Sequence, residues 1–463
     1  MSISAKKFIG TRAFYKHALA IALPIMIQNG ITNFVSMLDN IMVGRIGTEQ
    51  MSGVAITNQL IFIFNLCIFG ATSGAGIFTA QYYGEQNHEG IRHTLRFKLI
   101  IGTIVSAIAF AIFLIFGDSL IMAYLDGNND GGDMMAAFGY AKSYLNIMLI
   151  SFIPFMILQS YSGTLRECNE TVLPMKAGFV AVAVNLMLNY LLIFGNFGFP
   201  RLGVNGAAIA TVTARFVETG IVAVWLHRHK KEHPYIKGLY RTLRLPWNMF
   251  KKFLAKAVSL LFNEGLWAGG MAMLSLSYSS RGLNTISGIN IANTLFNVFS
   301  VVFIALGSAI SIIVGQLLGA GKFKEAKDTD TKLIAFAIMS CTALAFVIAG
   351  VAPFFPNIYN TTPEAKEIAM HFLFAQAAAM PFTALMNAEY FTLRSGGKTI
   401  ITLIFDSVFM WCLSVPVAFA VALLTDVPAV FIFLAVQVVE VIKCIVGAIM
   451  VKKGIWIHNI VKQ

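Results

Sequence analysis

The chain has 463 residues, of which 57% are hydrophobic and 12% are charged, and its formal net charge is +12. A soluble domain carries about twice this charged fraction, so the composition excludes an ordinary water-soluble globular protein. The five cysteines contain no CxxC pair, and their scatter favours free buried thiols over disulfides or a metal site.

Apolar runs of about 20 residues or more follow one another along the whole chain. Each run is long enough to cross a hydrocarbon core of about 30 Å as a helix. Lipid offers no partners to backbone groups, and the runs are too long for barrel strands. The sequence therefore predicts an all-α polytopic membrane protein with twelve transmembrane helices. The runs lie near 14–43, 52–82, 94–116, 134–164, 172–194, 205–227, 254–279, 286–318, 333–352, 368–392, 399–423 and 428–451.

The basic residues are distributed unevenly between alternate connections. With the N-terminus placed inside, most lysines and arginines fall in the inside connections. This asymmetry follows the positive-inside rule and predicts a multi-pass protein of the plasma (inner) membrane with both termini cytoplasmic. It also accounts for the net charge without nucleic acid as a partner. The outside connections contain only Arg45, Arg201, Arg281 and Lys366.

Two halves of the chain resemble each other. "GTEQMSGVAITN" (47–58) aligns with "GLNTISGINIAN" (282–293), and the same shift of 235 residues aligns "AQYYGEQNHEGIR" (80–92) with "GQLLGAGKFKEAK" (315–327). At a slightly different shift, "LRECNET" (165–171) resembles "LRSGGKT" (393–399). Three matches in the same order indicate an internal repeat of six helices, and parallel repeats of this kind are typical of transporters.

The repeat predicts two pseudo-symmetric six-helix lobes. We expect an N-lobe over 1–228, a basic cytoplasmic inter-lobe linker over 229–253, a C-lobe over 254–451 and a cytoplasmic tail over 452–463. The linker most simply fixes topology, and contact with anionic lipid headgroups is a second possible role. A single chain with both lobes is expected to work as a monomer.

The first helix carries an acid inside its apolar run. A carboxylate at bilayer depth costs about 2.5–3.5 kcal/mol, so Asp39 should face a cavity or a partner. Asn185 and Asn189, one turn apart on the fifth run, add oxygens suited to sodium or to a proton relay. The alternative is that Asp39 merely meets water near the outer end of its helix. The residues that share its helical face are Asn29, Asn33, Ser36 and Asn40.

The seventh helix carries a second acid, Glu264, beside Asn263. It could be a second proton site or a contact for a cationic substrate, or it could make a helix-helix hydrogen bond. Asp406 either lines a C-lobe cavity or makes a packing hydrogen bond, and Glu389 belongs to a gate or to an interface. Two polar stripes either line a wet cavity or join helices, namely Asn58/Asn65 on the second helix and Asn290/Asn293/Asn297/Ser300 on the eighth. Glu440 and Lys443 are three residues apart on the last helix, which favours a local ion pair.

Enzyme signatures are missing from the sequence. There is no P-loop, no HExxH and no GxSxG, so we expect neither an enzyme nor a cofactor. Transport would then draw on a gradient of H⁺ or Na⁺.

Several segments resemble the multidrug and toxic compound extrusion (MATE) transporters. They are "LPIMIQNGITNFVSMLDNIMVGRIG", "LRECNET", "VNLMLNYLLIFGNFG", "LFNEG" and "ISIIVGQLLGAGKFKEAK", and they span both halves. The resemblance implies twelve helices in two lobes and export of mostly cationic organic compounds in exchange for sodium or protons.

The resemblance also assigns roles to particular residues. The family's cation-site Asp falls on Asp39 and its fifth-helix polar positions on Asn185 and Asn189, which together would be the metal ligands if the ion is sodium. Thr211 matches a sixth-helix contact, and Pro24 matches a proline whose bending accompanies protonation. In the C-lobe, Glu264 matches an acid of another branch, and Asn387 or Glu389 would replace that branch's tenth-helix Asp.

The prediction is therefore a cation-coupled antiporter that exports organic cations by alternating access, with membrane lipids as its other partners. The alternative is a lipid-linked saccharide flippase of the same superfamily, which should have a large cationic cavity. A membrane-embedded enzyme would need clustered nucleophiles at one depth, and the sequence offers none.

Overall fold

The computed structural model describes residues 8–126, 133–242 and 244–462, and these residues form helices with no strand among them. The predicted all-α class is confirmed. Each predicted apolar run corresponds to one long helix. The helices are α1 Arg12–Gly44, α2 Thr48–Gly84, α3 His88–Asp126, α4 Met134–Glu167, α5 Val172–Phe194, α6 Val204–Arg228, α7 Trp247–Ser279, α8 Leu283–Gly319, α9 Phe323–Val351, α10 Pro363–Ser395, α11 Thr399–Leu424 and α12 Ala429–Lys453.

Eleven of these described helices are long and apolar enough to cross a membrane. The exception is α7, whose apolar stretch is interrupted by Asn263 and Glu264. Two helices depart from regular geometry. A 3₁₀ turn, Leu149–Ser151, lies inside α4, and π-helical turns occur in α11 at Ile404–Val408 and Met410–Ser414. Such wide turns shift the register of the following side chains and often occur at functional sites.

The turn between α2 and α3 has the same backbone geometry as the turn between α8 and α9. Asn87 N donates to Tyr82 O at 2.9 Å, and Lys322 N donates to Leu317 O at 2.9 Å, which is the same pair 235 residues later. Gln86 and Gly321, also 235 residues apart, both have positive φ, 62° and 76°. The predicted repeat is therefore present in the structure at this turn.

The described chain divides into two compact units by contact. The first unit contains the described residues of 27–79 and 88–261, and the second contains 8–26, 80–87 and 262–462. The boundary within α1 falls two residues beyond Pro24, and α1 runs as one helix across that proline. The predicted lobe limits at 228 and 254, and the predicted hinge at Pro24, stay predictions.

Each unit has its own apolar core. In the first unit the rings of Phe64 and Phe152 stack with centroids 3.8 Å apart, within an apolar cluster to which α2, α4 and α6 contribute most residues. In the second unit, apolar residues of α8, α9 and α10 form the core, for example Ile310, Leu333 and Leu393. These cores hold fixed the helices that carry the polar residues described below.

The linker after α6 is bound to the N-terminal part of α3. Arg96 donates from Nε to Leu239 O at 2.9 Å and from Nη2 to Gly238 O at 2.7 Å. Arg92 Nε donates to Tyr235 O at 3.2 Å. Guanidinium groups thus satisfy carbonyls that a loop would otherwise leave to water. The linker is fastened to its own unit rather than free.

The segment after α12 is also built into the fold. Trp456 is 0% exposed, and Asn459 Nδ2 donates to the carbonyls of Leu318 and Gly319, both at 3.0 Å. Gln81 of α2 accepts from Ile460 N at 2.9 Å and donates to His458 O at 3.1 Å. The tail therefore fastens the ends of α2 and α8 to each other within the second unit.

The five cysteines are all free, as the sequence predicts. Cys168, Cys341 and Cys444 are buried, whereas Cys67 is half-buried and Cys412 is exposed. The expectation that all five thiols are buried is wrong for Cys412, which points outward from α11 on a helix face that the core does not cover.

Candidate functional site

A cavity of about 330 Å³ lies within the first unit, between α1, α2, α4, α5 and α6. We call it the chamber. Its wall is unusually polar for a protein whose helices are otherwise apolar, and its polar lining residues come from five separate helices. They are Gln28, Thr32, Asp39, Asn40, Asn58, Asn65, Tyr144, Asn185, Thr211, Arg215 and Glu218.

Three of the four residues predicted for cation coupling, Asp39, Asn185 and Thr211, line the chamber, and the fourth, Asn189, is buried and hydrogen-bonded to two of them. Asn189 Nδ2 donates to Asp39 Oδ1 at 2.5 Å and to Asn185 Oδ1 at 3.2 Å. Asn185 Nδ2 in turn donates to Thr211 Oγ1 at 3.2 Å. Residues 185 and 189 are four apart on α5, so they lie on one face of the helix. A continuous hydrogen-bonded chain thus runs from α1 through α5 to α6.

One acceptor in this chain is unused. Asn189 is 0% exposed, and its Oδ1 has no hydrogen-bond partner among the described residues. A buried amide oxygen without a partner costs about 1–3 kcal/mol. This oxygen lies beside the Asp39 carboxylate. It could serve as a ligand for a bound cation, or accept a hydrogen bond from Asp39 when that carboxyl group is protonated.

Tyr144 of α4 completes this end of the chamber. It is 4% exposed, and it lies close enough to Thr211 and Asp39 to interact with both. Sequence reasoning missed Tyr144, because a tyrosine in an apolar run is indistinguishable from a packing residue. Its hydroxyl becomes informative only when α4 and α6 are seen to meet.

Only part of the predicted α1 stripe reaches the chamber. Asn40 lines it with Asp39, while Asn29 and Asn33 are not among its lining residues. The Ser36 side chain lies outside the described residues. On α2, Asn58 and Asn65 both face the chamber, so the wet-cavity reading holds for them. On α8, Asn293 Oδ1 accepts from Gln376 Nε2 of α10 at 3.0 Å, which is a helix contact.

The other end of the chamber contains charges that sequence reasoning did not single out. Arg215 lies one turn beyond Thr211 on α6, and Glu218 lies three residues further. Arg166 Nη2 donates to Gln28 Oε1 at 2.7 Å. The signal was available, since Arg215 is one of the few basic residues inside an apolar run rather than in a connection.

The second unit contains a separate buried charge cluster. Lys443 of α12 is 1% exposed and binds Asp406 Oδ1 at 3.0 Å and Glu440 Oε2 at 3.5 Å. Ser414 Oγ donates to Glu440 Oε1 at 2.6 Å. The predicted Glu440/Lys443 pair is confirmed, and Asp406 proves to be a third member. Asn263 Nδ2 donates to Asp406 Oδ2 at 3.2 Å.

The five residues predicted for a second coupling or substrate site are not all together. Asn263 Nδ2 also donates to Tyr390 OH at 3.2 Å, and Glu264 lies close enough to the same hydroxyl to interact with it. Tyr390 thus joins Asn263, Glu264 and, through Asn263, Asp406. The remaining two predicted residues, Asn387 and Glu389, point to other neighbours.

Asn387 and Glu389 face different helices because they are two residues apart on α10. Asn387 Oδ1 lies against Gly307 of α8, and it has no hydrogen-bond partner among the described residues. Glu389 is 1% exposed and lies against Gly447 of α12, and neither of its oxygens has such a partner either. Among the described residues there is no group of three or more His, Cys, Asp or Glu arranged to hold a metal ion.

Comparison with known proteins identifies the architecture. The MatE family model matches residues 24–191 and again residues 263–420, which together cover most of the chain. The chain belongs to the MatE family. The two matched segments also reproduce the internal repeat, one in each half. MatE proteins are transporters, and this chain has the twelve-helix, two-lobe MatE fold of an integral membrane protein.

Relatives of similar length cover most of this MatE chain. "Probable multidrug resistance protein NorM" of Thermotoga maritima is 24% identical over 404 residues, covering 87% of this chain and 85% of the relative. The protein of the same name from Bacillus anthracis is 26% identical over 422 residues and covers 89% of each. A crystal structure of a MATE transporter in a bent conformation matches with a TM-score of 0.85 at 18% identity, covering 98% of this chain and 97% of that one.

Proposed function

We propose that this protein is a cation-coupled antiporter that exports organic, mainly cationic, compounds by alternating access. Its coupling ion, H⁺ or Na⁺, binds at Asp39. The observation that carries the proposal is the unused Asn189 Oδ1 beside the carboxylate of Asp39, a residue that lines a polar chamber. The relatives are named as probable multidrug resistance proteins, which supports this class of cargo.

The donor set suits either ion. Sodium prefers hard oxygen ligands, and this hydrogen-bonded cluster offers the Asp39 carboxylate with the side-chain oxygens of Asn185 and Asn189. A proton on Asp39 would turn the carboxylate into a hydrogen-bond donor. The free amide oxygen of Asn189 can accept that hydrogen bond after the amide rotates. In both cases the negative charge of Asp39 is neutralised.

Neutralising Asp39 couples the ion to the cargo. An organic cation in the chamber is attracted by the Asp39 carboxylate, whereas the coupling ion removes that attraction, so the two compete. A ligand shifts a conformational equilibrium only by its differential affinity for the two states. We propose that the ion binds from outside and displaces the cargo there, and that the ion-bound transporter then returns to the inward-open state, where the ion leaves.

The remaining features of the proposal follow from the sequence. The protein would be a monomer of the plasma membrane with both termini cytoplasmic, as the distribution of basic residues indicates. It would need no cofactor beyond the coupling ion. Two acids against one arginine in the chamber fit a cationic cargo better than the cationic cavity expected of a lipid-linked saccharide flippase.

The test is export of the fluorescent cation N-methyl-4-(4-dimethylaminostyryl)pyridinium from membrane vesicles. Wild type, Asp39→Asn and the control Asp118→Asn, which changes an exposed acid, are compared under a pH gradient alone and under a sodium gradient alone. We expect Asp39→Asn to lose gradient-driven export at least tenfold while Asp118→Asn behaves as wild type. Unchanged export by Asp39→Asn would refute the proposal, and the gradient that drives wild type identifies the ion.

A further inference from the structure

Arg215 is a cation without an acidic partner at hydrogen-bond distance. It is half-buried on α6 and lines the chamber. Its guanidinium carbon lies 4.8 Å from the centroid of the Phe155 ring, which holds the planar group over the ring face. No ion pair or hydrogen bond joins the Arg215 guanidinium to any residue in the described part of the chain. Its donors are therefore available to a ligand.

One acid, Glu218, lies near Arg215 without forming an ion pair with it. Glu218 is 9% exposed and interacts electrostatically with both Arg215 and Arg166. Arg166 is held in place by Gln28, and its Nε has no partner among the described residues. Arg166 also interacts electrostatically with Glu167, and it is not among the lining residues of the chamber. Arg215 is therefore the guanidinium group that lines the chamber, and its donors can meet an anionic group there.

The chamber is consequently dipolar along α6. Thr211, at the Asp39 end, and Arg215 are four residues apart, which places them on one face about 6 Å apart along the helix axis. A negative group and a positive group therefore line one cavity of about 330 Å³. A molecule with a cationic and an anionic group a few bonds apart matches this arrangement.

We propose that Arg215 forms an anion subsite, so that the chamber selects zwitterionic cargo. The cationic group of the cargo faces Asp39, and its carboxylate or sulfonate accepts hydrogen bonds from Arg215. The inference rests on the proposed export function and adds the class of cargo to it. A planar guanidinium on an aromatic face presents a fork of donors that suits a carboxylate.

The test uses two dyes that differ in one group. N-methyl-4-(4-dimethylaminostyryl)pyridinium is a cation, and its N-carboxymethyl analogue is a zwitterion with the same chromophore. Export of both is measured on vesicles containing wild type, Arg215→Gln, Arg215→Lys and the control Lys142→Gln, which removes an exposed base of the same unit. The quantity compared is the ratio of zwitterion export to cation export, each as kcat/KM.

We expect Arg215→Gln to lower this ratio about tenfold to a hundredfold, since a hydrogen bond to a charged group is worth about 1.5–3 kcal/mol. The ratio in Arg215→Lys should fall less, because lysine keeps the charge, and the ratio in Lys142→Gln should equal that of wild type. If Arg215→Gln is not recovered from the membrane, the Arg215→Lys ratio against wild type decides.

The outcomes separate the two proposals. An unchanged ratio in Arg215→Gln, with export of the cationic dye still dependent on Asp39, overturns the anion subsite and leaves the export function intact. Wild type that exports neither dye under either gradient overturns the export function. An equal fall for both dyes also refutes the subsite, because it assigns Arg215 a role in packing rather than in selection.

Discussion

The backbone carbonyl of Gln81 on α2 lies directly against Gly319 on α8. The repeat-related pair makes the reciprocal contact, with the carbonyl of Gln316 against Gly84. A side chain on either glycine would overlap backbone atoms of the opposite helix. The two helices therefore cross backbone to backbone through residues that the internal repeat already paired, and the tail is fastened over the same crossing.

This crossing makes a prediction for stability. Gly319→Ala places a Cβ atom on the backbone carbonyl of Gln81, so the backbone of α2 must move to make room. Overpacking of this kind costs about 1–3 kcal/mol or more. We expect a lower midpoint of thermal unfolding in detergent. The control is Gly350→Ala on α9, where a Cβ would meet nothing within 4 Å. Equal midpoints for the two variants would contradict a tight crossing.

The tail offers a second prediction. Asn459→Ala leaves the carbonyls of Leu318 and Gly319 without their side-chain donor, at a cost of about 1–3 kcal/mol. Asn357→Ala is the matched control, because Asn357 is exposed and bonds only a carbonyl four residues earlier, on its own segment. We expect limited proteolysis to release the tail faster in Asn459→Ala than in wild type or the control. Identical cleavage rates would show that the tail is held by other contacts.

The charge cluster of the second unit gives a third prediction. Lys443→Met removes the buried cation and leaves Asp406 and Glu440 uncompensated, which destabilises a protein by about 3–5 kcal/mol. Lys142→Met breaks an ion pair whose side chains are 47% and 57% exposed, and such pairs contribute about 0–1 kcal/mol. Unfolding midpoints compare the two. Adding Asp406→Asn to Lys443→Met should restore part of the loss, and a further loss would argue against the pairing.

The linker gives a fourth prediction, which concerns pH. Burial lowers the pKa of His233 from its ordinary 6.5, while Glu170 and Glu232 act in the opposite direction. Folding therefore favours neutral His233, so its contribution to stability is complete above about pH 6.5 and is lost as the pH falls through the lowered pKa. We expect the unfolding midpoint of wild type to fall between pH 7.5 and 5.5 more than that of His233→Gln.

The emission of Trp225 supplies a local readout for the same prediction, since its ring lies 5.5 Å from that of His233. A protonated imidazole close to the indole should quench it as the pH falls, and His233→Gln should abolish this part of the change. An identical pH response in the variant would assign the dependence to other groups.

The helices and their order could be predicted from the sequence because lipid imposes one local rule on every spanning segment. The grouping of Asp39 with Asn185 and Asn189 was also accessible, since helical spacing placed the two asparagines on one face and the family resemblance supplied the link to α1. The stripe on α8 was ambiguous, because the same spacing serves a cavity and a helix contact equally well.

The remaining features depend on how helices distant in sequence are rotated against one another. The ion pair of Lys443 with Asp406 joins α12 to α11, and the π-helical turns of α11 set the direction of Asp406. No local pattern specifies such a turn. Arg215 had a sequence signal, as a base inside an apolar run, but its open donors became visible only once its neighbours were known.

The hydrogen bond from Ile460 N to Gln81 has a practical consequence. The amide proton of Ile460 is sealed as long as α2, α8 and the tail remain together, and it can exchange with solvent deuterium only when they part. Its exchange rate, followed by mass spectrometry during turnover, would therefore report how often α2 and α8 separate, without any probe attached to the protein.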